Sequence, residues 1–198
     1  MYYKGEKMEK HHRKGHKHDP EREKLQEKME ETVLLFGELM PDMIVLDVGT
    51  GFGYVCRLLA DLFNEPGHVY SIDPSKEVIK NVKQQLEERG LGNRVAFKEA
   101  FAEKLPFNDG FFDAAISALT LHHVENLNAA VKEITRVLSP GGKLIIVEWK
   151  AKASTFLHHD HDFLDPPEKL VEVLEKNELE ILEIKEFELW YAINSIKK

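Results

Sequence analysis

The feature that most constrains this chain is a glycine-rich turn directly after a short apolar run. Residues 43–46 are Met, Ile, Val and Leu, and the sequence DVGTGFG follows at 47–53. Glycine allows backbone angles that other residues avoid and lets a ligand lie against bare peptide. A second apolar run, Val69 to Ile72, ends in Asp73, whose carboxylate can accept two ribose hydroxyls. Together the two features predict a site for an adenosine-containing cofactor.

The glycine spacing narrows the choice of cofactor. A dinucleotide-binding turn has the pattern GxGxxG, in which the third glycine packs the helix against the strand. The pattern here is GxGxG, and Tyr54 occupies the position of the third dinucleotide glycine. The spacing therefore disfavours a nicotinamide-dependent oxidoreductase, which remains the second enzyme hypothesis. A turn that only reverses the chain is the other alternative, and the position of Asp73 argues against it.

Length and charge are those of one acidic domain. A chain of 198 residues can bury a real core, and a formal charge of −8 disfavours lasting contact with nucleic acid. Cys56 is the single cysteine, which excludes an internal disulfide, and no run approaches the roughly 20 apolar residues of a membrane span. We expect a cytoplasmic protein with a small-molecule substrate and with neither nucleic acid nor membrane as a partner. Nothing in the pattern defines an oligomeric state.

The chain divides near its beginning. Residues 1–18 are polar, rich in histidine and lysine, and without periodicity, so we interpret them as a tail or a lid. Asp19 and Pro20 are typical of the N-cap and first residue of a helix. Apolar residues then recur at helical spacing until Pro41. We therefore expect a single domain over 19–198.

Strands and helices are predicted to alternate along that domain. Apolar runs predict strands at 94–98, 111–119 and 144–147, the last launched by an SPGG turn at 139–142. Helical periods lie between the runs, with Ser75 as an expected cap and with a last helix that starts at 165–167 and ends near Lys176. Residues 184–193 suggest two closing strands in a hairpin. Such alternation predicts an α/β fold, a parallel sheet covered on both faces with ligands at the carboxyl ends of its strands.

Three further segments resemble those of one enzyme family. They are FFDAAISALTLHHV at 111–124, RVLSPGGKLII at 136–146 and EKLPF at 103–107. With the GxGxG turn and Asp73, they resemble class I S-adenosylmethionine-dependent methyltransferases, especially the ubiquinone/menaquinone biosynthesis methyltransferase-like group. The resemblance extends from about Asp42 to Ile196. It implies a Rossmann-like three-layer sandwich with a seven-stranded, mainly parallel sheet and an antiparallel last strand.

The resemblance also implies a reaction and a cofactor site. The reaction is in-line transfer of a methyl group from S-adenosylmethionine to a small-molecule acceptor, with S-adenosylhomocysteine as the product. Asp47 would orient the turn and the amino end of the cofactor, Asp73 would bind the ribose, and Ser117 and Leu119 would flank the methionine part through their backbone. The residues implied to hold the cofactor are Asp47, Gly49, Thr50, Gly51, Asp73, Pro74, Ala102, Glu103, Ser117 and Leu119.

One segment departs from the family pattern. The family shows glycine, aspartate, alanine and an acid before LPF, whereas this chain has Ala100, Phe101, Ala102 and Glu103. The family aspartate hydrogen-bonds the adenine amino group, which Phe101 cannot do. Either packing and backbone groups near Ala102 hold the adenine, or Glu103 substitutes for the aspartate. Phe101 itself is either a core aromatic or an adenine contact.

Histidines supply the candidate catalytic and metal-binding residues. His122 follows the fourth strand, where an imidazole would deprotonate a hydroxyl or a carbon acid near neutral pH. The alternative for His122 is a polar residue that packs the loop.

The sequence HHDHD at 158–162 has side chains that bind zinc, nickel or iron, which makes His158, His159 and His161 candidate ligands. A solvated loop and an acceptor contact are the alternatives for this segment, and we expect no metal. A non-catalytic protein that binds the cofactor or a metal, as a sensor or partner, is the hypothesis from another class.

Overall fold

The structure, a computed structural model, describes residues 20–151 and 166–198, with side-chain surroundings from residue 27 onward. Its helices are α1 (Pro20–Gly37), α2 (Tyr54–Leu62), α3 (Lys76–Glu88), α4 (Leu127–Val137) and α5 (Glu168–Lys176), and a short 3₁₀ turn covers Leu121–His123. Its strands are β1 (Val45–Val48), β2 (Val69–Asp73), β3 (Val95–Glu99), β4 (Phe112–Ala118), β5 (Leu138–Trp149), β6 (Leu179–Glu186) and β7 (Trp190–Lys197).

The seven strands form one sheet in the order β3-β2-β1-β4-β5-β7-β6. β1 to β5 run parallel to one another, and β7 runs antiparallel to both β5 and β6. The reversed direction of β7 follows from its short hairpin connection to β6. The predicted mainly parallel sheet with an antiparallel last strand is confirmed.

Helices cover both faces of the sheet, which gives three layers. One apolar cluster includes Val33 of α1, Leu59 of α2 and Val82 of α3. The cluster on the other face includes Ile134 of α4 and Leu170 of α5. Because β1 and β4 are covered on both faces, their residues are buried without a polar side, as expected for central parallel strands.

Short polar side chains start two of the helices. The Ser75 hydroxyl accepts a hydrogen bond from Val78 N at 3.3 Å, which confirms the predicted cap of α3. Asn126 caps α4 in the same way, since its Oδ1 accepts from Ala129 N at 3.0 Å. Each cap fixes the point at which the chain leaves the carboxyl edge of the sheet.

Two boundaries predicted from the sequence are wrong. The predicted turn at 139–142 lies inside β5, because Leu138 already pairs with Phe112 and pairing resumes at Lys143 with Ala114. The four intervening residues bulge out of the ladder. α1 ends at Gly37 instead of near Pro41, because Glu38 adopts a left-handed backbone with φ 42°.

Several predictions fall outside the described residues. These are the tail or lid at 1–18, the cap at Asp19, the helix start at Asp165 and the histidines of segment 158–162. Within the described ranges, none of the helices combines the length and the apolar character needed to cross a membrane.

Candidate cofactor site

The glycine turn lies at the carboxyl end of β1, where β2 holds it in place. Gly49 N and Thr50 N both donate to Ile72 O, at 3.0 and 2.8 Å. These two bonds continue the pairing of β1 with β2 beyond the last strand residue. The turn then closes on itself through Gly53 N, which donates to Thr50 O at 2.7 Å.

Asp73 joins the turn to the start of α3. Its Oδ2 accepts from Gly51 N at 3.1 Å, and its Oδ1 accepts from Ser75 N at 2.8 Å. The side chain is therefore fixed at the tip of β2, as the sequence predicted. A carboxylate has about four acceptor positions, so anchoring the loops is compatible with binding ribose hydroxyls.

The turn approaches the loop after β4 so closely that Gly49 has no room for a side chain. Its φ is +91°, and a Cβ at this position would lie 2.2 Å from Thr120 Oγ1. The absence of a side chain therefore lets the two loops meet at the carboxyl edge of the sheet. No local pattern indicates Thr120 as the neighbour of Gly49, because 71 positions separate the two residues.

A chain of buried hydroxyls links β1, β2 and the turn. Ser71 Oγ donates to Asp47 Oδ2 at 2.7 Å and lies 2.6 Å from Thr50 Oγ1. Since the single Ser71 hydroxyl proton goes to Asp47, the Thr50 hydroxyl donates to Ser71. Sequence reasoning missed Ser71, whose only signal was a serine within an apolar strand.

Burial dominates the electrostatics of Asp47. Loss of water raises the pKa of its carboxyl group to about 8; the Ser71 hydrogen bond opposes the rise, and the nearby charge of Asp73 adds to it. Asp47 Oδ1 is buried and has no hydrogen-bond partner among the described residues. A cation brought to this carboxyl group would favour its ionised form.

A second buried oxygen lies on the neighbouring strand. Ser117 Oγ likewise has no partner within the part of the chain that the structure describes. β1 and β4 pair in parallel with Asp47 opposite Ile116, so Ser117 lies one position further on and its side chain points to the other face of the sheet. Buried polar groups normally find a hydrogen-bond partner, from a ligand or water if not from protein. The Asp47 oxygen, beside the glycine turn, therefore fits the amino group of S-adenosylmethionine.

The loop after β4 begins with a strained residue. Leu119 has a φ of +57°, in the left-handed region that side chains rarely adopt. Its N–H donates to Val147 O at 2.8 Å, which holds the loop to β5. Strained backbone of this kind clusters at functional sites, where surrounding contacts hold it in place.

Glu148, near the end of β5, receives the residues that follow. Its Oε1 accepts from Thr120 N at 3.1 Å and from Leu121 N at 2.7 Å, and its Oε2 lies 2.5 Å from His122 Nδ1. The His122 side chain is 4% exposed and that of Glu148 is 1% exposed. The structure thus shows His122 packing the loop, and its role as a base remains a prediction. Sequence reasoning missed Glu148, which was a single acid after an apolar run.

The segment expected to meet adenine turns outward at Phe101. Ala100 and Ala102 are both buried in the core on either side, so the side chain between them faces solvent and is 53% exposed. The core-aromatic interpretation of Phe101 is therefore wrong. The ring remains at the predicted adenine end, where Lys104 N closes a turn on Phe101 O at 3.1 Å.

Glu103 ties the same segment to the start of α4. Its Oε1 accepts from Glu125 N at 2.9 Å and from Asn126 N at 3.3 Å. These bonds give the side chain a structural role at the beginning of the helix. A contact between Glu103 and adenine remains a prediction.

One depression lies at the opposite edge of the sheet from the glycine turn. A depression of about 480 Å³, lined by residues that include Met40, Met43, Asp113 and Lys143, lies at the amino ends of the central strands. Ligands of such sheets bind at the carboxyl ends of the strands, so we assign this depression no role.

Among the described residues, His, Cys, Asp and Glu form no group of three or more that could hold a metal.

Comparison with known proteins agrees with the site. Residues 46–146, about half of the chain, match a family described as a methyltransferase domain. The chain is 34% identical over 118 residues to the ubiquinone/menaquinone biosynthesis C-methyltransferase of Pseudomonas paraeruginosa (strain DSM 24068 / PA7). The aligned segment covers 60% of this chain and 46% of that protein. The chain thus spans about half the length of the curated relatives that it matches.

Solved structures share the fold. A SAM-dependent methyltransferase from Aquifex aeolicus superimposes with a TM-score of 0.68 at 27% identity, over 91% of this chain and 99% of that one. The geranyl diphosphate C-methyltransferase of Streptomyces coelicolor A3(2) has a TM-score of 0.76 over 89% of this chain and 80% of that one, and at 14% identity it shows the fold alone. The family match, the sheet order and the glycine turn agree, and the chain belongs to the class I S-adenosylmethionine-dependent methyltransferases.

Proposed function

We propose that this protein transfers the methyl group of S-adenosylmethionine to a small-molecule acceptor. The observation that carries the proposal is the buried oxygen Asp47 Oδ1, which lies beside the glycine turn at the carboxyl end of β1 and lacks a partner among the described residues. A ligand with a cationic amino group would supply the missing donor. Asp73, at the tip of the next strand, would accept the ribose hydroxyls.

The rest of the predicted set would line the cofactor. Gly49, Thr50 and Gly51 would present bare backbone to it, with Pro74 following Asp73 and Leu119 contributing its backbone beyond Ser117. When bound, the cofactor supplies a methyl group on a sulfonium, which a nucleophile of the acceptor displaces in line. Holding the two reactants aligned and excluding water are then the main contributions of the protein.

The adenine end is the part of the site where this chain departs from the family pattern. We propose that the exposed Phe101 ring and the backbone near Ala102 hold adenine by packing. The alternative, substitution by Glu103, is less favoured because Glu103 Oε1 already accepts two backbone N–H groups.

A carbon acceptor is the form of the proposal that the relatives support. The Pseudomonas protein is named a C-methyltransferase. Methylation at an unsaturated carbon leaves a proton to be removed, which requires a base. His122 is the candidate, and we expect His122→Ala to lower the transfer rate by about 10²-fold. A rate that is unchanged across pH would remove His122 from the mechanism.

Calorimetric titration with S-adenosylhomocysteine tests the proposal, with NAD and zinc as comparison ligands. We expect heat with S-adenosylhomocysteine, and its absence would contradict the proposal. Asp73→Asn is expected to weaken this binding about tenfold to hundredfold, because charge-assisted hydrogen bonds to ribose are lost. Asp61→Asn is the matched control, since Asp61 pairs with Arg89 on an exposed surface of α2. Zinc binding alone would support the sensor hypothesis instead.

Three further experiments extend the test. A radiolabelled methyl-transfer screen over a metabolite extract distinguishes an enzyme from a protein that only binds the cofactor. Deletion of residues 1–18 distinguishes a lid from a tail, because loss of a lid weakens S-adenosylhomocysteine binding whereas loss of a tail leaves it unchanged. Alanine variants of His158, His159 and His161 show whether any zinc binding depends on that segment.

A further inference from the structure

Glu148 is a buried acid to which the proposed function assigns no role. It lies near the end of β5, its side chain is 1% exposed, and it faces the loop that follows β4. Burying a carboxyl group costs free energy unless hydrogen bonds replace the water it loses. The contacts of Glu148 therefore indicate what the residue does.

One oxygen of Glu148 holds the loop backbone. Oε1 accepts from Thr120 N and Leu121 N, and backbone N–H groups can only donate, so Oε1 is fixed as an acceptor. The residue just before these two is Leu119, with its left-handed backbone. Glu148 thus holds the chain where it leaves a strained position, beside the glycine turn that Thr120 contacts.

The other oxygen of Glu148 meets the imidazole of His122. Oε2 lies 2.5 Å from Nδ1, and the His122 side chain is almost entirely buried. With Oε2 as the acceptor, the ring carries a proton on Nδ1 and has its basic lone pair on Nε2. A carboxyl group that orients an imidazole in this way selects one tautomer for proton transfer.

We propose that Glu148 is a positioning residue that holds the neutral His122 ring in its Nδ1–H tautomer, so that Nε2 is the atom that takes up the acceptor proton. The O–H or C–H bond of the acceptor breaks and leaves its electron pair on the acceptor, an N–H bond forms between the proton and Nε2, and the resulting imidazolium keeps its Nδ1–H hydrogen bond to Glu148. The assignment of this proton step rests on the proposed function. The tautomer itself is a property of the ring and can be measured without an acceptor.

Nitrogen-15 NMR of the unmodified protein is the first test. The His122 resonances are those that disappear in His122→Gln, and the neutral ring is expected to carry its proton on Nδ1. A neutral ring protonated on Nε2 would overturn the proposal. Because no substitution at Glu148 is needed, this measurement decides even where Glu148 variants fail to fold.

Glu148→Gln is the second test. The Gln oxygen can still accept from Thr120 N and Leu121 N, whereas its NH₂ group can only donate to Nδ1. We therefore expect the ring to switch to the Nε2–H tautomer while hydrogen exchange at the amides of 120 and 121 is unchanged. Retention of the Nδ1–H tautomer in this variant would contradict the proposal.

Ser195→Ala is the matched control for a general loss of stability. Ser195 Oγ donates to Leu144 O at 3.0 Å, a buried bond that lies earlier in β5 than Glu148 and outside the cofactor site. This variant should lower stability without changing the His122 tautomer. S-adenosylhomocysteine calorimetry on the same samples is independent, since failure to bind would contradict the proposed function and leave the tautomer result standing.

Discussion

At the residue scale, the site consists of side chains that meet across long sequence distances. Asp47 meets Ser71, which is 24 positions further on, and His122 meets Glu148 across 26 positions. Each contact joins the ends of two different strands at the carboxyl edge of the sheet. The properties of these side chains are therefore set by the fold and not by their sequence neighbours.

Replacement of Asp47 by Asn should flatten the pH dependence of stability. The pKa of Asp47 is raised from 3.8 to about 8 in the folded protein, and burial is the largest cause. Between these values the folded state holds the extra proton, so the stabilisation is complete below the unfolded pKa and is lost as pH rises through the folded pKa. One such group contributes a slope of up to about 1.4 kcal/mol per pH unit, measurable by urea unfolding across that window.

Val48→Ala is the control for the Asp47 variant. Val48 is buried beside Asp47 in β1 and does not titrate. Its truncation should lower the free energy of unfolding by about 2 kcal/mol at every pH and leave the slope unchanged. An Asp47→Asn variant that keeps the wild-type slope would contradict the assignment.

Gly49→Ala should be more costly than Gly67→Ala. The two glycines have φ angles of +91° and +92°, but a Cβ at Gly49 would lie 2.2 Å from Thr120 Oγ1, and one at Gly67 would meet nothing within 4 Å. Gly67→Ala measures the left-handed backbone alone, roughly 1–2 kcal/mol. Urea unfolding should show a larger loss for Gly49→Ala, part of which Thr120→Gly restores. Equal losses of unfolding free energy in Gly49→Ala and Gly67→Ala would show that the glycine turn and the loop after β4 can move apart without an energetic cost.

At the element scale, α4 holds the segment at the predicted adenine end. Arg136 donates to the carbonyl oxygens of Leu105 and Phe107, and it also pairs with Glu133 and Asp109. Glu133 Oε2 in turn accepts from Leu105 N at 2.9 Å. The hydrogen bond from Arg136 lowers the pKa of Glu133, which keeps the pair charged. One helix thus fixes a loop that has no regular structure of its own.

Arg136→Met should release that loop. The two carbonyls and Glu133 would lose their donor, with an expected cost of roughly 2–4 kcal/mol and faster hydrogen exchange at the Leu105 amide. Arg89→Met removes an arginine whose pair with Asp61 is half-exposed, and it should cost about 0–1 kcal/mol. Equal losses in urea unfolding would show that Arg136 has no special role in the loop.

Elements were predictable from sequence where a local pattern decides them. β2 and β4 are buried runs bounded by polar residues, and Ser75 caps α3 through a contact three residues away, so all three were visible. The bulge at 139–142 was not predictable from a local pattern, because it depends on how β4 pairs with β5. Sequence reasoning missed Glu148 and Ser71 and left the direction of Phe101 open for the same reason, since long-range packing determines all three.

At the scale of the whole molecule, one sheet unites two apolar clusters. The cluster under α1, α2 and α3 and the cluster under α4 and α5 share the central strands β1 and β4. If β1 and β4 leave the sheet, the apolar residues of both clusters become exposed to water. We therefore expect the described domain to unfold in one transition.

S-adenosylhomocysteine should raise the stability of that transition as a whole. A ligand that binds only the folded state adds about 2.7 kcal/mol when present at about 100 times its Kd. Thermal unfolding with and without the ligand measures the effect, and NAD should give none. The shift should shrink in Asp73→Asn but persist in Asp61→Asn. A shift of equal size with NAD would contradict the assignment of the cofactor.

The position of β7 has a consequence for the order in which the protein is assembled during synthesis. β7 follows β6 along the chain but lies between β5 and β6 in the sheet. A nascent chain therefore completes β6 before the strand that connects it to the sheet exists. Until Trp190–Lys197 is made, the β5 edge stays open and β6 lacks its hydrogen-bonding partner. Premature termination before Trp190 would thus remove β7 and, with it, the strand through which β6 is attached to the sheet.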